Sequence, residues 1–300
     1  MRFAVLGSGS QGNASLVQAD GPGLLIDVGL TPRVLEERLG RLGAGWDQIG
    51  AAVLTHTHRD HVARGTLGRL ANRGIRVYCH EAHRAALAES GEVHEVERRG
   101  LLRTYDDRPW LTGGGLRLEP VEAYHDDAAT FGFRIEGRVG RGRSLSVGYL
   151  ADTGMWTARQ ADALADVDLL ALEFNHDVEL QKASGRPAFL IRRVMGHRGH
   201  LSNEQGGELL RAVLSRSRPG RPGVVVLLHL SAECNRPGLA VEAAREALSD
   251  VPRRIEVHVA RADEPWPDLR LDRPRRGAGQ RRSGRRLVRV RRRVDCPTWF

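Results

Sequence analysis

Three histidines and one aspartate lie within the six residues from His56 to His61, directly after the apolar run Ala52–Leu54. Residues two apart on extended backbone point to the same side, so His56 and His58 can bind one metal ion. Asp60 and His61 follow on the turn into the next helix and can bind a second ion nearby. Imidazole and carboxylate ligands without a thiolate suit zinc and manganese equally. The spacing therefore predicts a metal centre at the end of a strand.

A glycine-rich segment near the start suggests a different chemistry. Residues Gly7–Gly12 match the GxGxxG pattern of dinucleotide sites, and Asp27 follows about 20 residues later. A crossover helix should come next, but Asn13–Gly23 contains a short apolar run and an Asp-Gly-Pro-Gly turn. A crossover needs at least about 10–12 residues including its helix. We therefore expect a hairpin beside the metal cleft, and no nucleotide cofactor.

The elements that must position these residues are short strands and amphipathic helices. Strand patterns cover Arg2–Leu6, Ser15–Gln18, Leu24–Asp27, Ala52–Leu54, Arg76–Tyr78, Leu116–Val121, Phe131–Ile135, Leu145–Leu150, Leu169–Leu172, Val224–Leu228 and Arg254–His258. Helical patterns cover Pro32–Leu42, Val62–Asn72, Ala82–Ala88, Thr157–Ala165, Asn203–Leu214 and Leu239–Leu248. This interleaving predicts an α/β or α+β fold with mixed sheets.

The positive charge is concentrated at the end of the chain. The net charge is +9, yet the residues from Arg270 onward hold twelve Arg and two Asp, which leaves about −1 for the rest. From Asp263 the apolar pattern gives way to Pro and Arg. We therefore predict a hydrolase domain over residues 1–262 and an Arg-rich, disordered extension over residues 263–300.

Composition excludes several classes of protein. No apolar stretch reaches the ~18–20 residues of a membrane-spanning helix, and the run Phe3–Leu6 is too short for a signal peptide. These features predict a cytoplasmic protein with no membrane partner. Three cysteines, none in a CxxC pair, argue against a disulfide framework and against a thiolate zinc site.

The HxHxDH segment resembles that of the metallo-β-lactamase fold superfamily of binuclear metallohydrolases. Four later segments resemble further motifs of that family in the same order, namely Leu25–Gly29, Ala123–Asp126, Leu150–Gly154 and Leu227–Ser231. The resemblance covers about residues 1–260 and implies an αββα sandwich. In this fold each half contributes ligands along one edge of the sheets.

The resemblance also implies a complete set of ligands. Two divalent ions per chain, Zn²⁺ or Mn²⁺, would be held by His56, His58 and His125 on one side and by Asp60, His61 and His229 on the other, with Asp152 bridging them. Asp27 would be a carboxylate that supports these ligands, and Glu173 would be one that supports His200. Two such ions can lower the pKa of a bridging water and neutralise charge on a reacting phosphoryl or acyl group.

Four segments narrow the choice of substrate: Ser8–Asn13, Asn175–Asp177, Gly199–Asn203 and His229–Ser231. Together they resemble the YycJ (WalJ) subgroup, bacterial proteins described as 5′-to-3′ DNA exonucleases. The resemblance implies hydrolysis of DNA by a metal-bridging hydroxide. The catalytic residues would be Asp60 and His200, and the substrate-binding residues would be Asn13, His176, His200 and Ser202.

Other functions are compatible with the same residues. The fold could serve a small-molecule hydrolase acting on a cyclic nucleotide, a thioester or a lactone, or an RNA-processing nuclease. A nucleic-acid-binding protein with a structural metal site is a further alternative. Loss of turnover on chelation, with DNA binding unchanged, would separate catalysis from binding.

Overall fold

Two mixed β-sheets pack face to face and carry helices on their outer faces. The computed structural model describes residues 1–89, 91, 93–126, 128–252 and 254–271, without the side chains of Ala128 and Arg143. Most of the predicted Arg-rich extension, residues 272–300, lies outside this range. The layer order is the αββα sandwich expected from the resemblance.

The first sheet contains seven strands within the described part of the chain. In spatial order they are β14 (Asp268–Arg270), β1 (Arg2–Gly7), β2 (Ala14–Gln18), β3 (Gly23–Ile26), β4 (Ile49–Val53), β5 (Arg76–His80) and β6 (Leu102–Tyr105). The strands from β14 to β3 pair antiparallel, and those from β3 to β6 pair parallel. The segment from Gly7 to Asn13 joins two antiparallel strands, so it is the predicted hairpin and not a crossover.

The second sheet is likewise divided into an antiparallel part and a parallel part. In spatial order its strands are β13 (Glu256–Val259), β12 (Val224–Leu228), β11 (Leu169–Glu173), β10 (Arg143–Leu150), β9 (Ala128–Val139), β8 (Arg117–His125) and β7 (Trp110–Leu111). Strands β10 to β13 are parallel, and β8 runs in the same direction because both β8 and β10 pair antiparallel with β9. The carboxyl ends of β8, β10, β11 and β12 therefore meet at one edge.

Alternation along each strand builds the layers. In β1, Phe3 and Val5 lie in the core between the sheets, whereas Ala4 and Leu6 lie in the cluster under the outer helices. The same alternation places Val226 of β12 between the sheets. Fully burying one such large side chain stabilises the fold by about 1.5–3 kcal/mol. A strand with apolar residues on both faces therefore lies between the outer helices and the opposite sheet of a four-layer structure.

The helices occupy three places. Helices α1 (Pro32–Arg41), α2 (Thr66–Asn72), α3 (Arg84–Glu89) and α4 (Val93–Arg98) cover the first sheet, and α5 (Ala158–Ala163), α8 (Asn203–Arg216) and α9 (Pro237–Ala247) cover the second. Helices α6 (Val178–Lys182) and α7 (Ala188–Val194) follow the end of β11. Two 3₁₀ turns lie at Trp46–Gln48 and Glu81–His83. No helix of the described residues is long and apolar enough to cross a membrane.

Several elements differ from the sequence prediction. Strands β6, β7 and β14 were not predicted, and β14 extends the first sheet beyond Ala262, where the prediction ended the domain. Its pairing with β1 continues to Leu271, whose backbone N–H donates to the Met1 carbonyl at 2.7 Å. Helices α4, α6 and α7 were also not predicted, and α2 begins at Thr66 instead of Val62. The residues before Thr66 form the turn that carries Asp60 and His61.

Candidate metal centre

The seven predicted ligands converge at one edge of the sandwich, at the ends of four strands. His56, His58, Asp60 and His61 follow β4 of the first sheet. The second sheet supplies His125 at the end of β8, Asp152 after β10 and His229 after β12. Side chains far apart in sequence meet because the carboxyl ends of these strands share the edge. The site thus lies between the two halves of the fold.

The donor atoms form two groups with one residue common to both sides. His56, His58 and His125 bring donor atoms within 4.8 Å of one another, and so do Asp60, His61 and His229. Asp152 belongs to one group with His56 and His61 and to another with His229, again within 4.8 Å. Asp152 therefore lies between the two triads, where the resemblance places a bridging carboxylate.

Four of the histidines are fixed through the same nitrogen. Each places Nδ1 near an oxygen acceptor: His56 on Thr55 Oγ1 at 2.9 Å, His61 on Asp27 Oδ2 at 2.7 Å, His125 on the Gly199 carbonyl at 2.8 Å and His229 on Glu173 Oε1 at 3.1 Å. Metal-binding histidines characteristically use their second nitrogen in this way. The arrangement leaves Nε2 of each ring for an ion.

The unpaired atoms support the same assignment. Within the described structure, Nε2 of His56 and Nε2 of His229 are buried and have no hydrogen-bond partner. A buried polar atom without a partner costs about 1–3 kcal/mol of folding free energy. Native folds therefore rarely contain such an atom unless it has a function. Asp152 Oδ2 faces His61 Nε2 at 3.0 Å, but without hydrogen-bond geometry. A divalent cation would satisfy all of these atoms, so the residues present fit a metal centre.

The surroundings shift the pKa values of His56 and His229 in opposite directions. Burial and the neighbouring His61 hold the pKa of His56 well below its usual value, so this imidazole is neutral, as a metal ligand must be. Burial would also lower the pKa of His229, but the Asp152, Asp60 and Glu173 carboxylates outweigh it and raise that pKa to about 10. The positive charge on His229 compensates the buried carboxylates, which is the role that a bound cation would take over.

Backbone strain is concentrated in the same place. The described residues include five non-glycine positions with positive φ, and four of them border the centre: Asp27 (60°), Asp126 (43°), Asp152 (54°) and His229 (57°). Each such conformation costs on the order of 1 kcal/mol and persists only where the surroundings enforce it. The strain turns these side chains out of the strand direction and toward the cleft.

Two glycines permit the close approach of the loops. A Cβ atom on Gly29 would lie 1.7 Å from the Asp60 carbonyl oxygen, and one on Gly154 would lie 2.3 Å from the Gly199 nitrogen. Gly29 therefore lets the HxHxDH turn pack on the loop after Asp27. Gly154 lets the Asp152 loop pack on the segment that carries His200.

Glu173 connects His200 to the donor cluster. Its carboxylate is fully buried, with Oε1 accepting from His200 Nδ1 at 2.8 Å and Oε2 accepting from the Thr153 backbone N–H at 2.9 Å. Burial raises the pKa of Glu173, but His200 and His229 outweigh it and lower that pKa to about 2. The His200 ring centroid lies 4.7 Å from that of His125 and 5.1 Å from that of His229. His200 thus stands between one predicted ligand of each ion.

The glycine-rich hairpin borders the centre, as the sequence predicted. Ser8 Oγ accepts from the His229 backbone N–H at 2.7 Å, and Ser10 lines the cleft. Asn13 is buried, and its Nδ2 lies 2.9 Å from His61 Nε2 and 3.3 Å from Asp60 Oδ2. Asn13 therefore contacts two predicted ligands, whereas the sequence assigned it to the substrate.

Two further residues predicted to bind substrate lie away from the cleft. Ser202 is buried, and its Oγ accepts from the Gln205 N–H in a capping box that begins α8. His176 is buried beside it, its carbonyl accepting from the Asn203 N–H at 2.8 Å. Neither side chain lines the cleft. Of the four predicted substrate-binding residues, only His200 borders the cleft.

Other residues at the site were missed. Thr55, one position before His56, donates Oγ1–H toward Asp27 Oδ2 at 2.9 Å and also contacts His56 Nδ1. Asp126 lies 3.5 Å from His58 Nε2 and pairs with Arg193 at 2.6 Å. Thr55 and Asp126 are each adjacent in sequence to a predicted ligand, and this adjacency could have identified them. No sequence pattern pointed to Arg193.

The open side of the centre is a cleft of about 270 Å³. Its lining includes His58, Asp60 and His200, and its far wall is formed by Leu190, Arg193 and Val194 of α7 together with Arg186, the glycine-rich loop and the segment after His229. The cleft therefore combines carboxylate and imidazole donors on its floor with arginines at its rim. Such a site can bind and polarise an anionic ester.

Comparison with known proteins agrees with this architecture. The family model described as the beta-lactamase superfamily domain matches residues 24–230. The chain is 28% identical over 240 residues to a protein of Streptococcus pneumoniae named exodeoxyribonuclease WalJ, covering 80% of this chain and 85% of the relative. It is 26% identical over 263 residues to a protein of Bacillus anthracis named exodeoxyribonuclease YycJ, covering 86% of this chain and 94% of the relative.

A solved structure shows the same fold. The metallo-β-lactamase fold protein YhfI from Bacillus subtilis superposes with a TM-score of 0.62 at 19% sequence identity, covering 89% of this chain and 99% of that chain. The two-sheet architecture is therefore that of a known metallo-β-lactamase fold protein.

Proposed function

The chain belongs to the metallo-β-lactamase superfamily and is a metal-dependent hydrolase; from this premise we propose that it is an exonuclease that degrades DNA from the 5′ end at a binuclear centre. The names of the two bacterial relatives support DNA as the substrate. Their similarity extends over four fifths or more of this chain.

We assign the ligands by the two triads described above. His56, His58 and His125 would hold one ion, Asp60, His61 and His229 would hold the other, and Asp152 would serve both, since its donor atoms lie within reach of either group. When bound, two divalent cations lower the pKa of a water molecule and neutralise charge on the phosphate oxygens. The chain's own residues then orient the substrate, hold the attacking water and donate a proton to the leaving oxygen.

The position of His200 is the observation on which the proposal depends. Its Nδ1 is engaged by Glu173 at 2.8 Å, so Nε2 is the nitrogen left for the substrate, and the half-buried ring faces the cleft. A buried carboxylate behind an imidazole keeps the ring oriented. His200 is therefore placed to act on a phosphate bound across the two triads.

The reaction is a single displacement at phosphorus. Water attacks the phosphorus, one P–O ester bond breaks, and the leaving nucleoside oxygen takes a proton from His200. Asp60 is partly exposed in the cleft, with Oδ2 3.9 Å from His229 Nε2, and can accept a hydrogen bond from the attacking water. The proton released by the water passes to solvent, and His200 is reprotonated in the next cycle.

One assay tests the function. The purified full-length chain, supplied with manganese or zinc, is given duplex DNA labelled at the 5′ or the 3′ end, covalently closed circular DNA, RNA and bis(4-nitrophenyl) phosphate. We expect early release of the 5′ label as a mononucleotide, slow release of the 3′ label and no attack on the circle. Chelation should abolish turnover. Cleavage of the small diester without any attack on DNA would instead indicate a small-molecule hydrolase, and preferential cleavage of RNA would indicate an RNA-processing enzyme.

A further inference from the structure

A basic segment borders the cleft in a domain that is nearly neutral as a whole. The 17 residues from Lys182 to Arg198 contain five Lys or Arg and no Asp or Glu, whereas residues 1–269 together sum to about −1. This segment includes α7 and ends just before His200. Its charge is therefore local to the mouth of the cleft.

Helix α7 presents this charge together with an aromatic ring. The helix has no buried residue, and Phe189 is 67% exposed, one of three large apolar side chains that the described structure leaves in solvent. Arg192 is exposed and makes no ion pair with any described residue. Exposing Phe189 leaves most of an apolar ring in water, which favours a role at the surface.

Ion pairs hold the segment in place. Arg193 pairs with Asp126, next to His125, at 2.6 Å, and Arg186 pairs with Glu233 at 2.6 Å. Leu190, Arg193 and Val194 form the wall of the cleft, so the helix is seated directly beside the donor cluster. These contacts occupy two of the arginines and leave Arg192 and Phe189 facing outward.

Helical spacing joins the outward residues to the cleft. Residues three and four apart are neighbours on a helix surface, so Phe189 adjoins both Arg192 and Arg193. Arg193 lines the cleft, Phe189 lies beside it, and Arg192 lies farther out. A continuous track of guanidinium, aromatic ring and guanidinium therefore leads away from the donor cluster.

We propose that α7 is a platform for a single strand of DNA, on which Phe189 stacks against a base while Arg192 contacts the backbone. The proposal rests on the proposed function, because it places this base within a few nucleotides of the reacting phosphate. Base stacking on an aromatic side chain combined with backbone contacts from arginine is the general mode of single-strand binding. Because residues 1–269 carry almost no net charge, the basic residues from Lys182 to Arg198 form a local positive patch. Such a patch is complementary to a polyanion.

The first test separates stacking from charge. Full-length, metal-loaded protein is titrated with a fluorescent 12-mer of thymidines joined by nuclease-resistant phosphorothioate linkages, and with the same backbone lacking bases. Phe189→Ala should weaken binding of the thymidine strand about 5- to 150-fold and leave binding of the abasic strand unchanged. Phe189→Trp should restore the preference for bases. Leu111→Ala is the matched control, because Leu111 is 69% exposed on β7, which pairs with the end of β8 far from His125.

The second test concerns the backbone contact. Arg192→Glu should weaken both strands and reduce the slope of log K against log salt by ~0.7 for each lost phosphate contact. Arg141→Glu is its control, since Arg141 is exposed in the β9–β10 turn, at the end of β10 opposite Asp152. Equal effects of the two substitutions would overturn the proposal, and so would equal binding of the thymidine strand by Phe189→Ala and Leu111→Ala.

A kinetic measurement distinguishes failure of the platform from failure of the nuclease function. For DNA, Phe189→Ala should raise KM and change kcat little. If the wild type cleaves DNA and Phe189→Ala does so with an unchanged KM, the platform is wrong and the nuclease function stands. If the wild type cleaves only the small diester, the nuclease function fails, and the binding titrations still decide the platform.

Discussion

The donor cluster and helix α7 face each other across one cleft but are built in opposite ways. In the cluster, His56, His61 and Asp152 are almost completely buried, and each is fixed by a neighbour within about 3 Å. In α7, Phe189 and Arg192 extend into solvent and no residue is buried. The floor of the cleft is thus rigid and the rim is adaptable.

This difference assigns different tasks to the two regions. Chemistry requires donor atoms fixed to a fraction of an ångström, which the fold achieves with strand ends, strained backbone and buried hydrogen bonds. Recognition of a polymer of varied sequence benefits from exposed side chains that adjust to each base. Substitutions in the cluster should therefore change metal binding and turnover, and those in α7 should change affinity for the strand.

The largest effect is expected at Asp152. Asp152→Ala removes the carboxylate that lies between the two triads, so bound metal should fall and hydrolysis of every substrate should be abolished. Metal content by mass spectrometry and turnover of bis(4-nitrophenyl) phosphate measure this. Asp107→Ala, an exposed aspartate outside the cluster, is the control. Full activity of Asp152→Ala with two ions per chain would refute the binuclear assignment.

His200→Ala should have the next largest effect. The substitution removes the proposed proton donor but no member of either triad, so kcat should fall by ~10²–10⁴ with metal content unchanged. His94→Ala, at an exposed histidine on α4, should leave kcat unaltered. A loss of metal in His200→Ala would instead make His200 a ligand, in agreement with its proximity to Asp152, Glu173 and His229.

A smaller effect is expected at Asp27, which supports His61 from behind. Asp27→Asn keeps the shape but weakens the contacts to His61 Nδ1 and to Thr55, so metal affinity should fall about 10- to 100-fold. Competition with a chelator of known affinity measures the change. Asp47→Asn, on an exposed 3₁₀ turn, is the matched control. If both variants retain metal equally well, Asp27 does not position the ligand.

The sequence signals for the donor cluster are local, and the structure brings the seven candidate donors together. Four of the seven donors are contiguous with one strand, and the other three each follow or end an apolar run. Ser202 has a structural role that its residue type and position also favour. Its hydroxyl caps α8 by accepting from the Gln205 N–H, and its substrate contact stays a prediction.

The elements that the sequence did not predict depend on tertiary contacts. Helix α7 has only seven residues and none of them is buried; Arg193 within it pairs with Asp126, and Arg186 just before it pairs with Glu233. Strand β14 has three residues, too few for a visible alternation, and forms because β1 offers it a free edge. Short elements of this kind have no periodic pattern to detect.

Strand β14 provides a prediction about stability. Leu271 follows it and is buried in the core between the sheets, so Leu271→Ala should lower the free energy of unfolding by about 2 kcal/mol. Thermal denaturation of the full-length chain measures the loss. Leu111→Ala, at an exposed leucine, should cause no comparable change. An unaltered Tm for Leu271→Ala would mean that the hydrolase domain ends at Ala262, as the sequence first predicted.

The smallest expected effect is that of Phe189→Ala on the same measurement. The ring is 67% exposed on a helix without a buried residue, so its removal takes little apolar surface from the folded state and leaves no cavity. Substitutions at such positions change the free energy of unfolding by about 0.5 kcal/mol or less. The denaturation curve of Phe189→Ala should therefore superpose on that of the wild type under conditions in which Leu271→Ala is clearly shifted. A loss comparable to that of Leu271→Ala would show that Phe189 packs into the domain, and the contrast between a rigid floor and an adaptable rim would then be wrong.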